Sequence, residues 1–465
     1  MLVTRVVIIG GGPGGYEAAL VGSQLGGEVT LIDTDGLGGS AVLTDCVPSK
    51  TLVATAEVMT QVHDADELGL RFGDDEQADA EAVVRVDLGA VNRRVLDLAR
   101  QQSTDICDRV QRENVDLVVG RGRLDGPERV VAETADGERT LDAEMVLVAT
   151  GASPRELPEA KPDGERILTW TQVYGLRELP EKLIVVGSGV TGAEFASAYH
   201  ALGAEVVLVS SRDRVLPTED ADAAQVLEDV FARRGLTVLG RSRAQAVTRD
   251  GDGVTVTLTD GSTVSGSHCL LAVGSVPNTA DMGLEEAGVT LDRGGFIEVD
   301  RVSRTSARGV YAAGDCTGVL MLASVAAMQG RIAMWHTLGD AVSPLDLKTV
   351  SSNVFTAPEI ATVGVTQAQV DSGEVQARAL TLPLKGNARA KMQGLVDGFV
   401  KIFCRPVTGI VIGGVVVAPR ASELIYPLAV AVAQRLTVDQ VSGSFTVYPS
   451  LTGSLAEAAR RLHIS

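Results

Sequence analysis

Positive charge is in deficit in this chain. Lysine and arginine number 41 against 60 aspartate and glutamate, a net charge of −19 over 465 residues. A surface that acidic repels nucleic acid and anionic membrane, which excludes both as partners. Cysteine is sparse and odd in number, with Cys46, Cys107, Cys269, Cys316 and Cys404 scattered along the chain. Scattered, odd cysteines exclude a disulfide framework and point to a reducing, cytoplasmic compartment. CxxC and HxxxH spacings are missing, so no metal site is expected. No apolar run reaches the roughly 18 residues that a membrane-spanning helix needs. The opening stretch MLVTRVVIIGGGPGG is apolar only briefly before its glycines. It reads as a buried strand and not as a secretory signal. Aromatics make up only 3% of residues, whereas glycine is abundant at 51 and hydrophobic residues reach 45%. That balance suits a turn-rich α/β fold with close backbone–ligand contacts, in about three domains.

What is present is a duplicated nucleotide-binding unit. The segment RVVIIGGGPGGYEAALVGSQLGGEVTLID reads as strand, glycine turn, helix and strand. Gly10, Gly12 and Gly15 stand in GxGxxG spacing, and Asp33 closes the second strand. The first glycine allows the tight turn and the second lets a pyrophosphate approach the backbone. The third lets the helix pack on the sheet, and the acid holds a ribose. The unit recurs as KLIVVGSGVTGAEFASAYHALGAEVVLVS, with Gly187, Gly189 and Gly192 in the same spacing. A shared register of this length marks an internal repeat and therefore two dinucleotide sites. The copies differ at the ribose position, where Asp33 is replaced by Ser210, followed by Ser211, Arg212 and Arg214. A carboxylate repels a 2′-phosphate, whereas serine and arginine attract it. The second site is therefore expected to prefer NADP(H) while tolerating NAD(H).

Further segments complete a pattern. VLVATGASP (146–154) and LLAVGSVPN (270–278) are apolar strands ending in small-residue turns, RGVYAAGDC (308–316) places Asp315 at a strand end, and FTAPEIATVGVT (355–366) opens a last region. With the two fingerprints, these segments cover nearly the whole chain, which resembles the flavoprotein disulfide reductases, the group of lipoamide dehydrogenase, glutathione reductase and mercuric reductase. The resemblance implies an α/β fold with two Rossmann-like domains and a C-terminal α+β dimerisation domain. An FAD domain would comprise about 1–151 and 275–345, an NAD(P) domain 152–274, and an interface domain 346–465, in an obligatory homodimer. It implies that Gly10, Gly12, Gly15 and Asp33 hold FAD, that Asp315 binds its ribityl chain, and that Leu322 and Ala323 lie under its ring. It places Gly151 and Gly274 among the cofactor-binding residues, with Gly187, Gly189, Gly192, Ser210, Ser211 and Arg212 on the nicotinamide nucleotide. Lys50 would pair with Glu194 beside the flavin nitrogen that accepts hydride.

Three positions depart from the family. Its members carry two redox cysteines before Pro-Ser-Lys; here the second is Cys46 but the first is Ala41. Cys107 sits in DLARQQSTDICDRVQRENV, which reads as a long amphipathic helix and offers no substitute. The family's C-terminal His-Pro, followed by a glutamate, becomes Tyr448-Pro449 with Gly453 at the glutamate position. The other histidines match no catalytic motif. Thiol relay is therefore removed as a unit, while both nucleotide sites remain. Electrons would leave directly from the flavin to a planar acceptor such as a quinone. The chain also resembles the actinobacterial NAD(P)H quinone reductase branch, which departs at the same cysteine. Tyr448 would wall the acceptor site from the partner chain. The alternatives are a single-cysteine reductase using Cys46, residual disulfide reduction, and a non-catalytic flavoprotein subunit.

Overall fold

A computed structural model describes residues 3–70 and 84–463. The chain divides into two compact units. One comprises Met1–Ser49, Arg93–Arg155 and Gly274–Asp346; the other comprises Lys50–Asn92, Glu156–Val273 and Leu347–Ser465.

The first unit is built on a five-stranded parallel sheet. Its order is Val310–Ala312, Met145–Val148, Arg5–Ile9, Glu28–Asp33, Asp116–Val119. Successive residues of the central strand enter different cores. Val6 and Ile8 pack with the Pro13–Gln24 helix and Met334, whereas Val7 and Ile9 pack with Val130, Leu284 and Ile297. A strand covered on both faces needs an unbroken apolar run, which residues 6–9 supply after the exposed Arg5. Because the strands run parallel, their carboxyl ends gather at one edge, and the glycine turn and Asp33 both lie there.

The second unit repeats this plan and adds a sheet. Its parallel sheet runs Thr237–Leu239, Glu205–Val209, Lys182–Val186, His268–Leu271, Ile167–Thr169. The added sheet is antiparallel throughout, running Ser351–Val354, Glu359–Gly364, Val411–Ala418, Phe399–Cys404, Arg378–Pro383. On its fourth strand, Val400, Ile402 and Cys404 face the apolar core. Lys401 falls on the opposite face and is 1% exposed. Its ammonium finds both oxygens of Asp220 at 3.0 and 2.8 Å, and Asp222 at 2.7 Å. Asp220 also caps the Ala221–Arg233 helix by accepting from the backbone of Asp222 and Ala223. One buried cation thus fixes the start of the helix that follows the Glu205–Val209 strand.

The long helix expected around Cys107 spans Leu88–Arg112, with Cys107 half-buried. Among the described residues, no helix is long and apolar enough to cross a membrane, and no cluster of ligating side chains could hold a metal ion.

Candidate active site

The two glycine turns have the same construction. Gly10 has φ +104°, and a Cβ there would sit 2.3 Å from the carbonyl oxygen of Ala149. A Cβ on Gly15 would lie 1.8 Å from the Gly10 oxygen. In the second copy, Gly187 has φ +112° with 2.1 Å to the Ala272 oxygen, and Gly192 repeats the 1.8 Å contact against Gly187. The middle glycines differ in kind: a Cβ on Gly12 or Gly189 would meet nothing within 4 Å. Each of these opens on a helix start that no side chain caps among the described residues. Uncapped N–H groups behind an open backbone are suited to a pyrophosphate.

In the first copy Asp33 is held ready. Its Oδ2 accepts from the Gly11 amide at 2.7 Å, and its Oδ1 accepts from Asp35 and Gly36 at 2.9 and 2.7 Å. The segment Gly38–Gly39 crosses this turn: Gly38 donates to the Gly11 oxygen at 2.8 Å. A Cβ on Gly39 would lie 2.8 Å from the Cα of Gly12. The paired glycines ahead of Ala41 therefore pack against the turn over residues 10–15. Gly151 has φ +70°, and Asn278 donates to its carbonyl at 3.0 Å. Asp315 is half-buried. Burial, and then the neighbouring charge of Asp45, push its carboxyl up to about 6. Leu322 caps the Ala323–Leu338 helix and Ala323 is exposed at its start. These residues fit a flavin nucleotide: an acid at the ribose position, an open turn for phosphates and a carboxyl that hydroxyl donors would satisfy.

The second copy carries a charged centre. Glu194, on the Val190–Ala201 helix behind Gly192, is buried. Its Oε2 binds the Lys50 ammonium at 2.6 Å, with side-chain exposures of 30% for Lys50 and 4% for Glu194. Its Oε1 accepts from the Phe355 amide at 2.9 Å. The ammonium also lies 4.9 Å from the centre of the Phe355 ring. Phe355 was not singled out in the sequence. Its signal was its place at the head of FTAPEIATVG, yet nothing local tied it to Lys50.

Ser210, at the position of Asp33 in this copy, is fully buried. Its hydroxyl bonds the Ser188 hydroxyl at 2.7 Å and accepts from the Arg212 amide at 3.1 Å. Ser210 thus braces the turn as Asp33 does in the first copy, but without charge. Gly274, at φ +95°, accepts from the Arg155 amide at 2.9 Å. Ser211 and Arg212 are exposed and Arg214 is half-buried.

Cys46 is the half-buried first residue of the Cys46–His63 helix, which carries Lys50 one turn on. None of the five cysteines is in a disulfide. Tyr448 is 85% exposed beside exposed Phe445 and Val447, and Gly453 begins the Gly453–Arg461 helix. The histidines serve locally: His200 binds the Arg234 carbonyl, His336 the Tyr311 hydroxyl and His463 the Asp439 carboxylate. His268 contacts Arg166 and Ser267, and burial holds its imidazole down to about 4.

Known proteins share this pattern along its full length. Residues 4–330 match the model of the pyridine nucleotide-disulphide oxidoreductases, and residues 350–459 match the dimerisation domain of the same group. A Mycobacterium tuberculosis protein named NAD(P)H dehydrogenase (quinone) is 57% identical over 99% of this chain and 94% of its own length. Dihydrolipoyl dehydrogenase of Zymomonas mobilis is 33% identical over 97% of this chain and 96% of its own. The crystal structure of LpdA from Mycobacterium tuberculosis superposes with a TM-score of 0.94 at 56% identity, covering 99% of this chain and 100% of that one. Repeat, turns and charged centre run in one order from end to end, and the chain belongs to the pyridine nucleotide-disulphide oxidoreductase family.

Proposed function

We propose that this protein is an FAD-dependent NAD(P)H:quinone oxidoreductase that works without a redox disulfide. The observation that carries the reading is a contrast. The Lys50–Glu194 pair is complete, while the partner of Cys46 is Ala41 and the proton-transfer position is Tyr448. The mycobacterial relative's name supports the same acceptor class. Bound FAD would supply a two-electron relay, taking hydride from NAD(P)H and passing the pair to the acceptor. The balance is NAD(P)H, a proton and quinone in, NAD(P)+ and hydroquinone out.

The protein's own residues bind and orient. Gly10, Gly12, Gly15, Asp33 and Asp315 would hold the flavin nucleotide, and Gly151, Leu322 and Ala323 would border it. Gly187, Gly189, Gly192 and Gly274 would hold the nicotinamide nucleotide, with Ser211, Arg212 and Arg214 favouring a 2′-phosphate. Lys50 would keep positive charge beside the ring atom that receives hydride, and Glu194 would keep Lys50 there. The exposed Tyr448 stretch suits an interface with a second copy in a homodimer, where Tyr448 would wall the acceptor site. The domain division proposed is FAD-binding over 1–151 and 275–345, NAD(P)-binding over 152–274 and dimerisation over 346–465, in a cytoplasmic enzyme.

An acceptor panel of quinones, lipoamide, glutathione disulfide and peroxide tests the reading. Quinones should be reduced fastest. In the same assay Cys46→Ser should retain quinone reduction within a few-fold of the parent. A hundredfold loss in that variant, or lipoamide reduction that depends on Cys46, would replace direct transfer with thiol chemistry.

A further inference from the structure

Arg212 and Arg214 follow the Glu205–Val209 strand. The neighbouring Thr237–Leu239 strand runs parallel to it, with Val209 opposite Leu239. Both chains therefore leave the sheet at the same end and the same height. Ligands of open parallel sheets collect outside these carboxyl ends. The two loops are also stitched together. Ser210 donates to the Leu239 carbonyl at 2.9 Å, Ser242 to the Ser210 carbonyl at 2.7 Å, and Arg241 to the Arg212 carbonyl at 2.8 Å.

Arg241 is an unusual residue for its place. Its φ is +54°, the left-handed region that glycine or asparagine enters more cheaply. Gly240 precedes it, so the turn could have been made without a long side chain in that conformation. The guanidinium is 83% exposed and lies 3.6 Å from Asp213, itself 88% exposed. Such a pair is weak and screened, and a phosphate dianion can displace it. Over residues 210–214 and 240–243, Arg212, Arg214, Arg241 and Arg243 stand against a single carboxylate, Asp213. The acid that would repel a phosphate at the ribose position is absent, because Ser210 stands where the first copy has Asp33.

We infer that Arg241 is a specificity-determining residue that binds the 2′-phosphate of NADP(H) from the second loop, opposite Arg212. The inference rests on the NADP(H) reading of this site. A guanidinium offers a planar fork to phosphate oxygens, and two forks from fixed loops grip a phosphomonoester better than one.

The test is calorimetric titration of the FAD-loaded enzyme with adenosine 2′,5′-bisphosphate and with 5′-AMP, which differ only in the 2′-phosphate. The parent should bind the bisphosphate more tightly. Arg241→Gln should weaken the bisphosphate about 3- to 10-fold and leave 5′-AMP within about twofold. Arg241→Gly, which relieves the left-handed backbone, should show the same selective loss. If Arg212→Ala weakens the bisphosphate and neither Arg241 variant does, the inference fails while the NADP(H) reading stands. If Arg241→Gln weakens both ligands and Arg241→Gly neither, the residue only shapes the loop and the inference fails. A parent enzyme that binds both ligands equally overturns the reading itself.

Discussion

Replacing Lys50 with methionine is expected to slow the anaerobic reduction of bound FAD by NADPH on the order of 100-fold or more. The ammonium is less than one-third exposed and is aimed by a buried carboxylate at 2.6 Å. A fixed charge of this kind acts where charge changes during hydride transfer, and it needs no reorganisation at that moment. Methionine keeps the length of the side chain and removes the charge. The loss should appear in the rate of flavin bleaching, with FAD content and NADP+ affinity nearly unchanged. Glu194→Gln should lose less, because it keeps a hydrogen-bonding oxygen for the Phe355 amide. Bleaching of Lys50→Met within about threefold of the parent would remove Lys50 from the proposed chemistry.

The second large effect is on stability. Lys401→Met should cost about 3–5 kcal/mol, because it leaves Asp220 buried without its cation. The two side chains are 1% and 3% exposed, so solvent cannot replace the lost partner. Asp222 contributes little to this sum, since it is 64% exposed and screened. In a unit of this size the loss corresponds to a fall of about 5–10 °C in the transition midpoint. Lys401→Met combined with Asp220→Asn should recover most of it, since asparagine can still cap the Ala221–Arg233 helix. A single variant that melts within about 1 °C of the parent, read by calorimetry of the holoenzyme, would show that the buried pair contributes nothing net.

The sequence carries the site unevenly, and the physical reason is range. Gly10, Gly12, Gly15 and Asp33 are legible because one strand–turn–helix–strand segment sets all their geometry. The second fingerprint is legible for the same reason, and the repeat made the exchange of Asp33 for Ser210 visible. What that exchange does was not visible. A serine at that position reads as a ligand contact, yet the shorter side chain turns inward to Ser188. Phe355, Arg241 and Lys401 escaped because each acts across the fold. Phe355 meets Glu194 through a backbone amide, which any residue type could provide. Arg241 comes beside Arg212 only once two parallel strands pair. Lys401 interrupts an apolar strand pattern, and its partner Asp220 lies far away in the chain. The losses at Ala41, Tyr448 and Gly453, by contrast, can be read only against a family pattern.

The central claim is that electrons pass through the flavin alone. Anaerobic titration of the purified, FAD-loaded protein with NADPH, followed by its visible absorbance, tests it most directly. Complete reduction at two electrons per FAD is the predicted result. Uptake of four electrons per FAD would reveal a second redox pair, with Cys46 the first suspect, and would contradict direct transfer to the acceptor.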